Sequence, residues 1–297
     1  MSDRDVIAAL ADAGARVVVT GASGWLGRVT CDALTAAGVP THAYASRARG
    51  DLRDLTDLGA PPEGDGPLLL LHYAFLTRDK VEALGNEAYV AANVAITSRV
   101  LDWVALERPD GVFVSSSGAA AAGLPIARDP YGALKRLDEL AFAEAARTVG
   151  ARVRIARVYN VAGRHITTPE LYALGDLVGA ALRGEPLRIQ ARGDVVRSYV
   201  AVDDLVTLVL AELTAPGRPA QLTFDTVGAT VELGELAQAV RSALGREDLP
   251  IERERDPAAP GSIYVGDGAM MSDLLHHHGL TPTPLVEQIR MTAESLR

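Results

Sequence analysis

Apolar and polar positions recur along this chain in two periods, and the switches between them lay out a run of strands and helices. Arg16-Val17-Val18-Val19-Thr20 is a short β-branched run, which reads as a buried strand. A helix-period segment follows to Ala37, with Gly38 placed to end it and Pro40 just beyond. Thr41 to Ala45 reads as a second strand, and the apolar runs Leu68–His72 and Gly111–Ser115 as two more. Between those two, Arg78 to Glu107 is helical in pattern. Asp129-Pro130 sets an N-cap before a proline at the first helical position, so Tyr131 falls in the first turn of a helix ending at Gly150. Ala151 to Val158 is a further strand.

After Asn160 the alternation loosens. Helices are expected near Leu171–Arg183, from Asp203-Asp204 to about Leu213, over Leu233–Leu244 and near Pro284–Leu296, with strands near Leu187 and over Leu222–Asp225. Gly59–Pro67 reads as a loop. Strands and helices alternating this way predict an α/β fold with a doubly wound parallel sheet, whose ligands bind at the carboxyl ends of the strands. The expected division is a dinucleotide-binding domain over 1–162, with a returning segment at about 198–226. A smaller, interleaved C-terminal substrate lobe takes 163–197 and 227–297.

Composition narrows the classes. The 297 residues are 48% hydrophobic and 23% charged, enough for a large core. No apolar run approaches the length of a membrane span. The start of the chain is acidic, without the layout of a signal peptide, so a cytoplasmic location is expected. Cys31 is the only cysteine, which excludes an intramolecular disulfide and a thiolate metal cluster. A net charge of −9 argues against nucleic acid as the main partner. No metal is expected: His276, His277 and His278 are consecutive, and neighbours in sequence diverge on a helix.

Gly21, Gly24 and Gly27 lie directly between a strand and a helix, the context in which glycines bring backbone close to a pyrophosphate. The helix N-terminus adds N–H groups and the positive end of its dipole. The sheet is therefore read as Rossmann-type. A site for NAD(H) usually ends the second strand with an acid on the ribose. Here that stretch is Tyr44-Ala45-Ser46-Arg47-Ala48-Arg49, with no acid before Asp51. Ser46 and Arg47 suit a 2′-phosphate, which favours NADP(H) with NAD(H) as the alternative; two solvated arginines remain the plainer account. Asp51 and Leu52 are placed to touch the adenine.

Only two lysines occur, Lys80 and Lys135, against twenty-seven arginines, and Lys135 follows Tyr131 by four residues. A lysine kept in this background suggests a role that a guanidinium cannot fill. The i,i+4 spacing puts both side chains on one helix face. The pair reads as catalytic, with Lys135 lowering the proton affinity of Tyr131; the open alternative is an exposed helix pair.

Thr20-Gly21-Ala22-Ser23-Gly24-Trp25-Leu26-Gly27 together with Tyr131-Gly132-Ala133-Leu134-Lys135 resembles the extended, sugar-nucleotide-modifying branch of the short-chain dehydrogenase/reductase superfamily, the NAD(P)-dependent epimerase/dehydratase enzymes. Leu71–Ala74, Val114–Ser117, Arg157–Gly163, Arg197–Asp204 and Leu280–Pro282 resemble further segments of that branch, in order, across nearly the whole chain. Of only three asparagines, Asn93 and Asn160 fall on its asparagine positions.

The resemblance implies that Tyr131 is the general acid/base and that Lys135 binds the nicotinamide ribose. Ser117 would bond the reacting oxygen, with Ser116 in its place if the register slips by one. Gly21, Ser23, Gly24, Trp25, Leu26, Gly27, Tyr73, Ala74 and Tyr159 would line the cofactor, and Asn93 would steady its pocket. Asn160 and Arg197 would contact the diphosphate of a nucleotide sugar, and a helical face would form a homodimer.

Departures narrow the reaction. Where dehydratases of the branch carry Thr-Asp-Glu, this chain has Ser117-Gly118-Ala119, which argues against water elimination. The glutamate of the decarboxylating relatives is absent too. Tyr131 follows Ser117 by only fourteen positions, a shorter link than is typical. Arg164 replaces a usual proline and Ser198 a usual aspartate, leaving room for a substrate other than the common glucose-type nucleotides. The leading expectation is an NADPH-dependent ketoreductase of a nucleotide-linked deoxy-keto-sugar. The alternative is an NAD-dependent nucleotide-sugar 4-epimerase, and a third reading is a non-catalytic dinucleotide-binding protein.

Overall fold

Each period switch becomes a strand or helix in the computed structural model, which describes residues 3–45, 52–53 and 58–297. The chain runs α1 (Asp3–Asp12), β1 (Arg16–Thr20), α2 (Trp25–Ala36), β2 (Thr41–Tyr44), β3 (Leu68–His72), α3 (Lys80–Leu84), α4 (Asn86–Glu107), β4 (Gly111–Ser117), α5 (Gly118–Ala121), α6 (Pro130–Val149) and β5 (Arg152–Val158). It continues through β6 (Val161–Ala162), α7 (Ala173–Arg183), β7 (Leu187–Arg188), β8 (Val195–Ala201), α8 (Val202–Thr214), β9 (Gln221–Asp225) and β10 (Ala229–Glu232). Last come α9 (Leu233–Leu244), β11 (Ile251–Glu252), β12 (Ser262–Tyr264), α10 (Ala269–His278) and α11 (Leu285–Ser295). Two units result: 1–158 with 206–224, and 159–205 with 225–297. Among the described residues no helix is long and apolar enough to cross a membrane.

The first unit is built on a six-stranded parallel sheet ordered β2-β1-β3-β4-β5-β9. Leu68 to His72 are all buried, as expected for a strand covered on both faces. Val18, Leu70, Val112 and Ile155 from the sheet pack with Val100, Trp103 and Phe142 from α4 and α6. The order reverses at β1, which has β2 on one side and β3 on the other. Thr20 pairs level with Tyr44 and with His72, so β2, β1 and β3 end together. β1 is thus the switch point of the sheet, and the carboxyl ends of the strands there are the place where such sheets bind ligands.

One helix expected over Arg78–Glu107 is two. Gly85 stands at φ 76°, ψ 155°, which breaks the backbone ladder between α3 and α4. α1 was not read from the sequence; Val6 and Leu10, one turn apart, bury it.

The second unit has its own core of Leu174, Leu177, Val178, Leu236, Val240 and Ile289. Its sheet runs β10-β8-β12, with β6 also on β8, and a separate pair joins β7 to β11. These strands hold two to seven residues, and most are too short to show a period in sequence. Their pairing assigns β8 to this unit, so the segment returning to the first unit begins at 206, where the sequence suggested about 198.

A buried charge cluster ties β5 to α8. Arg154 and Glu212 are both wholly buried; Arg154 Nε donates to Glu212 Oε2 at 3.2 Å, and Arg218 Nη2 lies 2.9 Å from Glu212 Oε1. Arg154 Nη1 also donates to the carbonyls of Val153 and Pro219. Removing one partner of such a set strands the other in the interior. Glu212→Gln is expected to lower stability by about 3–5 kcal/mol in denaturant titration; a loss under about 1 kcal/mol, typical of a surface pair, would contradict this account.

Candidate active site

Backbone contacts shape the crevice. Gly21 has φ 72°, and a Cβ there would lie 2.6 Å from the amide nitrogen of Ala74. A Cβ on Gly27 would lie 2.2 Å from the carbonyl oxygen of Gly21. The β1 loop therefore packs directly on α2 and on the loop after β3, as only glycine permits. Gly24, the N-cap of α2, brings no capping side chain, so the first turn presents its N–H groups and dipole to an incoming anion. Gly21, Ser23, Gly24, Leu52, Tyr73 and Ala74 line a cavity of about 200 Å³ together with Tyr44, Ala45, Phe75, Leu76 and Ile96. Trp25 and Gly27 are buried behind it, and Leu26 is half-buried. These features fit a dinucleotide. Ser46, Arg47 and Asp51 lie outside the described residues.

The loop after β3 is held from several sides. Thr20 Oγ1 shares a 2.7 Å hydrogen bond with His72 Nδ1 and accepts from the Ala74 amide. Burial and the Lys135 ammonium push His72 down to about 3, so its ring is neutral. Tyr73 bonds Thr30 through its hydroxyl at 2.8 Å. Asn93, buried on α4, accepts from the Leu76 amide at 2.8 Å, and Tyr89 donates to the Leu76 carbonyl at 2.6 Å. This holds the chain around Phe75.

Tyr131 and Lys135 come from α6, whose start is over-determined. Asp129 caps it by accepting from the Gly132 amide at 3.1 Å, and Arg78 donates to the other Asp129 oxygen at 2.9 Å. Gly132 seats the first turn on α5, because a Cβ there would be 2.7 Å from the Ala119 carbonyl oxygen. The Tyr131 ring is half-buried, edge-on to Phe75 at 5.8 Å. The Arg78 guanidinium carbon lies 5.3 Å from its centroid.

Lys135 is buried. Its Nζ donates to the Ser115 carbonyl at 2.7 Å and lies 3.7 Å from the centre of the Phe75 ring. Burial lowers its proton affinity to about 8, against the raising effects of Asp138 and Glu139. A cation one turn from a phenol can stabilise the phenolate and ready it for proton exchange.

Ser116 and Ser117 part company at the end of β4, as successive strand residues do. Ser116 donates to Glu139 Oε1 at 2.6 Å, and Glu139 is clamped by Arg157 through two 2.8 Å bonds. Ser117 caps α5, its Oγ accepting from the Ala119 amide at 3.2 Å. Phe75, Arg78 and Glu139 belong to this neighbourhood and carry no sequence motif; for Glu139 alone a local signal exists, its i,i+4 spacing from Lys135.

The remaining residues read from sequence belong to the second unit. Tyr159 donates to Asp225 at 3.1 Å, its ring 4.6 Å from that of Tyr264. Asn160 donates to the Ser198 carbonyl at 3.0 Å, and Arg197 to the Ser262 carbonyl at 3.1 Å. Arg164 forms an ion pair with Asp203 at 2.8 Å.

Known proteins share these features. A model of the NAD dependent epimerase/dehydratase family matches residues 17–223. UDP-glucuronic acid decarboxylase 6 of Arabidopsis thaliana is 29% identical over 137 residues, 43% of this chain; the chain spans 40% of that protein's length. UDP-glucose 4-epimerase of Rhizobium meliloti (strain 1021) is 27% identical over 272 residues, covering 77% of this chain and 82% of that protein. A crystal structure of UDP-glucose 4-epimerase from Thermotoga maritima, with UDP-glucose, superposes with a TM-score of 0.72 at 20% identity, over 95% of this chain and 98% of that one. With a glycine cradle at the switch point and a Tyr-x-x-x-Lys helix beside it, the chain belongs to the NAD dependent epimerase/dehydratase family, of the extended short-chain dehydrogenase/reductase type.

Proposed function

We propose that this protein is a nucleotide-sugar 4-epimerase that works on a retained NAD, with UDP-glucose and UDP-galactose the first pair to test. One observation carries the reading: a buried ammonium one turn beyond a phenol, with a glycine and an alanine following Ser117 at the strand end. Positions 118 and 119 hold a buried glycine and a buried alanine, where water elimination would need a proton donor and acceptor. What remains is chemistry at a carbinol or ketone. Relatives support epimerisation among these outcomes. UDP-glucose 4-epimerases align over most of the chain, whereas the decarboxylases align over less than half. The ketoreductase expectation, drawn from Ser46 and Arg47, becomes the second reading.

Gly21–Gly27 and the α2 N-terminus would hold the pyrophosphate, and Lys135 the nicotinamide ribose. The bound nicotinamide supplies the acceptor and donor of hydride. Tyr131 takes the proton of the sugar C4 hydroxyl and returns it to the keto oxygen, so no net oxidation results. Ser117 donates a hydrogen bond to that oxygen. Lys135 stabilises the Tyr131 phenolate before the first transfer and again after the second. Asn160 and Arg197 are carried forward as candidate diphosphate contacts.

Two outcomes are expected. Tyr131→Phe should cut turnover by about 10²–10⁴-fold while the dinucleotide stays bound; turnover near the wild-type rate would remove Tyr131 from the chemistry. Protein purified without added nucleotide, then denatured, should release NAD, read by mass spectrometry. Recovery of empty protein that binds NADPH far more tightly than NADH would favour the reductase and sink the epimerase.

A further inference from the structure

Lys135 meets charged or titratable groups from several elements. α6 itself brings Tyr131, Asp138 and Glu139. β3 brings His72, and the loop beyond it the ring of Phe75. β4 gives the Ser115 carbonyl. β5 brings Arg157, whose guanidinium engages Glu139. α4 brings Thr97, which reaches Asp138.

Asp138 is the odd member. It is 3% exposed, and Thr97 donates to its Oδ1 at 2.8 Å. Its Oδ2 is buried without a hydrogen-bond partner and lies 4.0 Å from Lys135 Nζ. A bare carboxylate oxygen in the interior is costly unless a charge offsets it, and the i,i+3 spacing places that charge on the same helix face. Glu139 differs, with Oε1 and Oε2 both engaged by Arg157 and Oε1 by Ser116 as well. His72 is neutral and adds no cation.

We propose that Asp138 is a positioning residue for the reaction: its unpaired carboxylate oxygen keeps Lys135 an ammonium ion, so that Lys135 can hold the Tyr131 phenolate. The inference rests on the role proposed for Lys135 in the epimerase reading. Burial lowers Lys135 to about 8, and Asp138 is the largest influence in the opposite direction, ahead of Glu139. Burial likewise raises Asp138, while Lys135 and Thr97 pull it back. Without the carboxylate charge, burial acts on Lys135 with less opposition. Its proton then leaves at lower pH, and the charged fraction near pH 7 falls.

Because the chain has two lysines, labelling lysine with ¹³C at Cε gives two NMR signals in the full protein. Lys80→Arg, at an exposed position, assigns them. In Asp138→Asn, Lys135 should titrate at least about one pH unit lower than in the wild type, with Lys80 unmoved. The alkaline limb of kcat should move by the same interval, which a merely structural role would not do. Thr97→Val, a milder change that keeps the carboxylate but removes its hydrogen bond, should give a smaller displacement in the same direction. A Lys135 titration that stays in place or rises in these variants overturns the proposal. The NMR signal needs no turnover. Displacement in a protein inactive on UDP-sugars would therefore support the Asp138–Lys135 coupling and count against the epimerase reading alone.

Discussion

A buried ammonium is the constraint on which this site depends. Lys135 is out of water, and it stays folded there because Ser115, Phe75 and Asp138 each offset part of its charge. Each comes from a different place in the first unit. Ser115 requires β4 in register with β5, Phe75 requires the loop pinned by Asn93 and Tyr89, and Asp138 requires α6 packed on α4. A guanidinium is larger and planar, so it could not occupy the same space among these three. That gives a physical reason for one of two lysines standing here in an arginine-rich chain.

The same sheet positions the cradle. β1 and β3 end level, and their loops touch backbone to backbone through Gly21 and Ala74. His72 sits at that seam, bonded to Thr20 and within reach of the Lys135 charge. The dinucleotide crevice and the Tyr131 helix thus share β3 and its loop, so a change at Phe75 or Leu76 reaches both.

Legibility in the sequence followed the range of the interaction. Leu68–His72, Asp129-Pro130 and the glycines at 21, 24 and 27 announce themselves, because continuous apolar runs, caps and close turns are local chemistry. Gly85 was passed over: one glycine in a helical pattern is tolerated as often as it breaks one, and its φ of 76° depends on where α3 and α4 pack. Ser116 and Ser117 look alike in sequence, and only the strand pleat separates their partners, Glu139 for one and the Ala119 amide for the other. Phe75 and the Arg154–Glu212 pair carry no spacing signal toward their partners, which lie far away in sequence. Cofactor preference was read from Ser46 and Arg47, outside the described residues, so relatives weigh more heavily there.

In the proposed epimerase, hydride would leave C4 of a nucleotide sugar and return to the same carbon without exchanging with water. UDP-glucose carrying deuterium at C4 tests it most directly, followed to UDP-galactose with no added cofactor. An epimerase on retained NAD should give product that keeps its deuterium at C4, with none exchanged for solvent hydrogen. UDP-galactose with solvent hydrogen at C4, or no product unless NADPH is supplied, would contradict it.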